Sequence, residues 1–142
     1  MIRLTRRYGF PASHRLHTAA LTDRENAALY GKCNNAGGHG HNYVLEVSVR
    51  GPLDESTGRV VAVATLDKLV EDRVLSRLRY RDLGREAAEL AGAVPTTENL
   101  ALGIRKALLE GWSEAFPEGT PALDSVKVHE TRKNMFEAPV RI

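Results

Sequence analysis

The stretch Gly31-Lys32-Cys33-Asn34-Asn35-Ala36-Gly37-Gly38-His39-Gly40-His41-Asn42-Tyr43, continued by Val44-Leu45-Glu46-Val47-Ser48-Val49-Arg50, sets both the fold and the chemistry. In its second half Tyr43, Leu45, Val47 and Val49 alternate with Val44, Glu46, Ser48 and Arg50, a period of two that predicts a half-buried strand. His41 opens that strand. Side chains two apart on extended backbone share a face, so His39 and His41 present their imidazoles together. Two imidazoles suit zinc but leave a tetrahedral ion short of at least one protein ligand, which must come from elsewhere in the chain.

Composition narrows the setting. A chain of 142 residues is the size of one domain, spanning 1–142, and can bury roughly 70% of its unfolded surface. No apolar run approaches the roughly 18 residues of a membrane span, and Met1-Ile2-Arg3-Leu4-Thr5-Arg6-Arg7 has no apolar core of a secretory signal. The expected location is the cytoplasm. A single cysteine excludes an internal disulfide and fits a reducing compartment. The net charge of +2, with acids and bases interspersed, gives no reason to expect a nucleic acid or membrane partner.

Working outward, Ile2 to Ser13 reads as an edge or bulged strand because it contains Pro11, with His14 at its end. Thr22-Asp23-Arg24-Glu25 matches a capping box and predicts a short helix to Tyr30, stopped by Gly31. Gly51 to Gly58 is dense in turn formers, so Val60, Val61 and Val63 read as the return strand of a hairpin. From Leu66 the spacing turns helical through Leu69, Val70, Val74, Leu75 and Leu78, with Thr65 as the cap. Arg79 to Val94, with Gly84 and Gly92, reads as a short or broken helix in a long connection. Pro95-Thr96-Thr97-Glu98 is a strong helix start, and Leu100, Ile104, Ala107, Leu108, Gly111 and Trp112 form its apolar stripe. Gly111 to Pro121 reads as a loop, Val126 to Glu130 as a strand and Met135 to Val140 as the last one. Hairpin strands with two amphipathic helices and no βαβ alternation define an α+β fold with an antiparallel sheet.

Each candidate site residue has a plain alternative. His14 is the best-placed third ligand because its strand could pair with the one His41 opens; His17 rivals it and His129 is a weaker choice. Otherwise all of these are hydrogen-bonded histidines. Glu130 follows the inward-facing Val126 and Val128, where a carboxylate must be paired. It either bridges to an arginine or lysine, or accepts two donors from a guanidine-like edge of a heterocycle. Thr96, Thr97 and Glu98 are explained as helix N-terminal residues. Cys33 is either a small buried residue or, between Lys32 and a metal loop, a thiol of lowered pKa.

Taken in order, Ala12-Ser13-His14-Arg15-Leu16, Gly31-Lys32-Cys33-Asn34-Asn35, Gly38-His39-Gly40-His41-Asn42-Tyr43, Thr96-Thr97-Glu98-Asn99 and His129-Glu130-Thr131 with Asn134 resemble the signatures of the 6-pyruvoyl-tetrahydropterin synthases and their 6-carboxytetrahydropterin synthase relatives. The match covers nearly the whole chain. The Cys-Asn-Asn form and the long segment from Leu16 to Tyr30 look more like the pyruvoyl branch.

The resemblance implies a four-stranded antiparallel sheet with two helices on one face, assembling through trimers into a homohexamer whose sheets close into barrels. It implies a zinc ion on His14, His39 and His41, 7,8-dihydroneopterin triphosphate as substrate, and Mg2+ as a frequent requirement. The activity implied is a carbon–oxygen lyase that eliminates triphosphate to give 6-pyruvoyl-tetrahydropterin. Alternatives are a variant that cleaves the side chain or forms a carboxypterin, and a homologue that only binds a pterin. Cys33 matches the family's general base, Glu130 the carboxylate that anchors the pterin ring, and Thr96, Thr97 and Glu98 its other pterin contacts. One departure stands out. The family's Leu-Asp-His, whose Asp-His pair works with the cysteine in moving protons, reads here as Leu78-Arg79-Tyr80, followed by Arg81-Asp82-Leu83. A tyrosine with a pKa near 10 can donate a proton but is a poor base at neutral pH, leaving Asp82 and His17 as substitutes.

Overall fold

A computed structural model describes residues 1–87 and 93–140. The elements in chain order are β1 (Ile2–His14), α1 (Asp23–Tyr30), β2 (His39–Gly51), α2 (Val63–Val70), α3 (Ser76–Leu78), α4 (Leu83–Glu86), α5 (Thr97–Ala115), β3 (Ala122–His129) and β4 (Met135–Pro139). A 3-10 turn, Gly31–Asn34, follows α1, and a π-helical turn, Glu71–Leu75, joins α2 to α3. The strands form one antiparallel sheet in the order β1-β2-β3-β4. No helix among the described residues is long and apolar enough to cross a membrane.

Alternation decides which face is covered. Phe10, Ala12, Tyr43, Leu45, Val47, Val49, Val126 and Val128 are buried beneath the helices. Fully burying side chains such as Leu45 or Val47 contributes roughly 1.5–3 kcal/mol each. The helical layer matches the sequence spacing in α5, whose Leu100, Ile104, Leu108 and Trp112 are buried. Residues at intervals of four, such as Leu66, Val70, Val74 and Leu78, drift about 40° per step on an α-helix of 3.6 residues per turn. The wider π turn absorbs that drift, and all four stay buried.

β1 is an edge strand, as its proline requires. Pro11 lacks an N–H on the side turned away from β2, and there its carbonyl accepts from Tyr80 N (2.7 Å) while Ser13 N donates to Arg81 O (3.0 Å). The strand is not bulged; its register with β2 is continuous from Ile2 to His14. The irregularity lies between β2 and β3, at Ser48/Val49. The capping box of α1 is present, with Glu25 N donating to Thr22 Oγ1 (3.1 Å) and Thr22 N to Glu25 Oε1 (2.9 Å).

Three expectations need correction. Val60, Val61 and Val63 form no return strand: both edges of β2 are taken by β1 and β3, and the turn closes only through an isolated bridge between Asp54 and Arg59. Val61 is buried in the core and Val63 begins α2, so Thr65 is not the cap; Ala62 holds that position without a side-chain bond. Gly111 does not end its helix, which runs to Ala115 because Trp112 and Phe116 pack ring against ring at a tilt of 40° (centroids 4.9 Å apart) and Trp112 Nε1 donates to Pro121 O (2.9 Å). What Gly111 supplies is room, since a Cβ there would lie 2.8 Å from Arg73 Nε. In the long connection the short helix is α4, and the Gly92 end lies outside the described residues.

Candidate active site

The covered face of the sheet changes character at one end. In the β1–β2 ladder Phe10 pairs Tyr43, Ala12 pairs His41 and His14 pairs His39, so three imidazoles follow the last apolar pairs on the same face. Their rings meet edge to face with centroids 4.6 to 5.0 Å apart. Gly38 makes this approach possible: at φ 70° its Cβ position lies 3.1 Å from the His14 carbonyl oxygen, so a side chain there would be strained and crowded.

His14 is fully buried, and its Nδ1 donates to the Pro95 carbonyl (2.8 Å). Its Nε2 is buried with no hydrogen-bond partner. His39 Nε2 and His41 Nε2 lie 2.8 Å apart, a distance that requires a proton between them. Burial holds the pKa of His14 below its ordinary value, assisted by the charges of His41 and His39 and opposed by the Pro95 bond and Glu130. Burial likewise lowers His41, with Glu130 opposing. The three residues offer nitrogens within 4.8 Å of one another. An orphaned buried lone pair on His14 with two further imidazoles beside it is a donor set that fits zinc. The choice of His14 over its rivals follows from placement. His17 Nδ1 accepts from Asn34 Nδ2 (2.9 Å), and His129 pairs closely with Glu46 on the opposite face.

Glu130 lies just beyond β3 with its carboxylate turned to the histidines: Oε1 is 3.2 Å from His41 Nε2 and 3.9 Å from His14 Nε2. Its carboxylate therefore faces imidazoles, not the arginine or lysine of the plain alternative. Its Oε2 accepts from Thr97 Oγ1 (2.8 Å). Thr97, buried at the start of α5, thus does more than begin a helix. Thr96 is the N-cap, its hydroxyl accepting from Asn99 N (3.2 Å), and Glu98 is exposed in the first turn.

Cys33 is half-buried in the turn before β2, and its carbonyl accepts from Leu16 N (2.7 Å). In the metal-free chain its thiol pKa is raised, by burial and then by the Glu130 charge, and Lys32 does not offset them. Tyr43, read from sequence as a strand residue at the end of the Gly38 to Tyr43 signature but given no role, belongs to the site as well. Burial and the charges of Glu130 and Cys33 raise its pKa, and its hydroxyl lies 3.3 Å from His14 Nδ1.

The departing pair is accounted for differently. Arg79 forms a two-pronged pair with Glu71 (3.1 Å on each oxygen) and is committed to the helix. Tyr80 sits at φ 60° and is 79% exposed, lining with His41 and Asn42 a groove of about 330 Å3 beside the outer edge of β1. Asp82 caps α4, accepting from Gly84 N (3.1 Å) and Arg85 N (3.2 Å).

A helix-backed antiparallel sheet with three convergent histidines and a facing carboxylate at one end defines a class of α+β protein with a polar site whose histidines could hold a metal ion. Comparison with known proteins narrows it. Residues 3–139 match the family model described as 6-pyruvoyl tetrahydropterin synthase. The chain is 43% identical over 137 residues to the 6-pyruvoyl tetrahydrobiopterin synthase of Drosophila melanogaster, covering 94% of this chain and 76% of that protein. It is 41% identical over 133 residues to the Homo sapiens enzyme of the same name, covering 94% and 88%. The solved structure of Caenorhabditis elegans 6-pyruvoyl tetrahydropterin synthase superposes with a TM-score of 0.87 at 35% identity, covering 99% of this chain and 96% of that one. The chain belongs to the 6-pyruvoyl tetrahydropterin synthase family.

Proposed function

We propose that this protein is a zinc-dependent carbon–oxygen lyase that eliminates triphosphate from 7,8-dihydroneopterin triphosphate and yields 6-pyruvoyl-tetrahydropterin. Family membership supports the reaction. The observation that carries the metal is the buried, unpartnered Nε2 of His14 facing His39 and His41. A bound zinc would supply Lewis-acid polarisation of the substrate's side-chain oxygens and a positive charge favouring the thiolate form of Cys33.

The chain's own residues do the rest. Glu130 accepts two N–H donors from the pterin edge, and Thr97 fixes the carboxylate through its hydroxyl. Thr96 and Glu98, at the same helix start, are the further pterin contacts in this reading. Cys33, as thiolate, takes a proton from a side-chain carbon; that C–H electron pair forms the double bond as the C–O bond breaks and triphosphate leaves with its electrons. Proton shifts within the resulting enol then convert both side-chain hydroxyl carbons to carbonyls while the ring C6=N5 bond takes up the hydrogens, an internal redox that needs no outside oxidant or reductant. Mg2+ serves the triphosphate. The working assembly is a homohexamer of two trimers in the cytoplasm; the edges of the sheet at β4 and at β1 ahead of Pro11 support assembly, leaving backbone groups for neighbouring copies.

Phosphorus NMR with product mass on 7,8-dihydroneopterin triphosphate tests the reaction. Triphosphate release with pyruvoyl product is expected, falling about 100- to 10,000-fold in Cys33→Ala with substrate affinity kept. Full turnover in that variant would remove Cys33 as the base. A wild type that binds but does not turn over, and gains activity with Arg79→Asp and Tyr80→His together, would replace the lyase with a pterin-binding homologue.

A further inference from the structure

His14 can offer a lone pair at Nε2 only while its proton stays on Nδ1. The atom 2.8 Å from Nδ1 is the Pro95 carbonyl oxygen, which accepts and never donates, so in this arrangement the proton is on Nδ1. A competitor is present. The Tyr43 hydroxyl lies 3.3 Å from the same nitrogen and could donate to it, which would send the proton to Nε2 and close the lone pair.

The aim of the Pro95 carbonyl is set one step away. Thr96 N donates to Val94 O (2.8 Å), a three-residue turn with Pro95 at its centre. Such turns are closed by a bent bond across one residue and are weak on their own, although a proline's fixed φ suits the central position. Here the same carbonyl takes a second donor, Asn99 Nδ2 at 2.9 Å. Because Val94 O accepts only, the amide's orientation is fixed as nitrogen toward the turn. The Asn99 backbone N is itself held by the Thr96 hydroxyl (3.2 Å), so the amide reaches the turn from the first turn of α5.

We propose that Asn99 is a positioning residue for His14: by closing the Val94–Thr96 turn it keeps the Pro95 carbonyl on Nδ1 and leaves the Nε2 lone pair facing His39 and His41. The use of that lone pair for a metal rests on the proposed function; the tautomer does not.

Two readouts separate the two claims. Imidazole nitrogen NMR on metal-free, isotope-labelled protein at mildly alkaline pH should show His14 as the Nδ1–H form in wild type, with Nε2–H appearing in Asn99→Ala and in Asn99→Asp. The aspartate keeps the volume and turns an acceptor to the turn, so it covers the case in which alanine fails to fold. Zinc affinity by chelator competition should fall roughly 10- to 100-fold in both variants. Thr22→Ala, which removes the cap of α1, is the control for lost stability and should leave tautomer and affinity unchanged. A pure Nδ1–H signal in both Asn99 variants would overturn the proposal, as would an equal shift in Thr22→Ala. A shifted tautomer in a protein whose wild type binds no zinc would keep Asn99 in its role and remove the metal.

Discussion

The two faces of the sheet are built by alternate residues of the same strands, yet they treat polar groups in opposite ways. On the open face Asp124 takes Arg3 (2.8 Å) and Arg50 (3.1 Å), Glu46 pairs with His129 and lies 4.0 Å from Arg7, Lys127 lies 3.8 Å from Glu137, and Thr5 bonds Ser48 (2.7 Å). On the covered face Arg6 and Tyr8 are answered by Asp67 of α2 (2.8 and 2.6 Å). Most other strand residues there are apolar up to the histidine end, where, among the described residues, one buried side-chain nitrogen has no partner. Charge density does not mark the site. The open face holds more charge, but its groups answer one another across neighbouring strands, as cross-strand pairs do. A buried acceptor left unanswered costs roughly 1–3 kcal/mol, and such a cost points to a ligand.

That contrast can be broken at several depths. The largest effect is expected at Glu130, where Glu130→Gln leaves the pterin donors unmatched. Titration calorimetry with a pterin should show affinity falling roughly 30- to 150-fold, or about 2–3 kcal/mol, with metal content unchanged. Loss of metal together with pterin would instead make Glu130 a ligand of the ion.

A smaller effect comes from pH in the metal-free protein. Burial depresses the pKa of His14 and His41 in the fold, so the unfolded chain, protonating near pH 6.5, binds protons that the fold refuses. Stability is then fully present above about pH 6.5 and is lost as pH falls from there through the folded values, by at most about 1.4 kcal/mol per unit for each histidine. Urea midpoints that stay level between about pH 7 and about pH 5 would contradict the depressed values.

The smallest effect belongs to the open face. Asp124→Asn removes two ion pairs whose arginines can return to water, so unfolding free energy should drop by about 1 kcal/mol or less. A loss of several kcal/mol by denaturant titration would mean that the open face carries more of the fold than its geometry indicates.

Much of this was legible in the sequence where one local rule governs. Alternation located β2, the capping box located α1, and the stripe from Leu100 to Trp112 located α5. The His-x-His pair lay on one face because strand period demands it, and His14 joined it through the register of β1. The misreadings share a cause. Val60 to Val63 has strand composition, but whether an edge of β2 was free is a non-local fact. Gly111 looked like a stop because a close approach by Arg73 leaves no local trace. For Cys33, Lys32 was the visible neighbour, whereas the charge that acts on the metal-free thiol, Glu130, is nearly a hundred residues away and arrives only through folding. The Pro95 carbonyl was missed because a backbone acceptor carries no motif, and the Tyr43 hydroxyl because its place in the signature says nothing of the partner that folding brings to it.

The central claim is that the unanswered nitrogen at the covered end of the sheet belongs to a metal ligand set. Metal analysis of the purified chain, beside the variant carrying His39→Ala and His41→Ala together, tests it most directly. About one zinc per chain in the wild type and none in the double variant is the result expected of a three-nitrogen site. Full zinc occupancy in the double variant, or a wild type that takes up no zinc when supplied with it, would contradict the account.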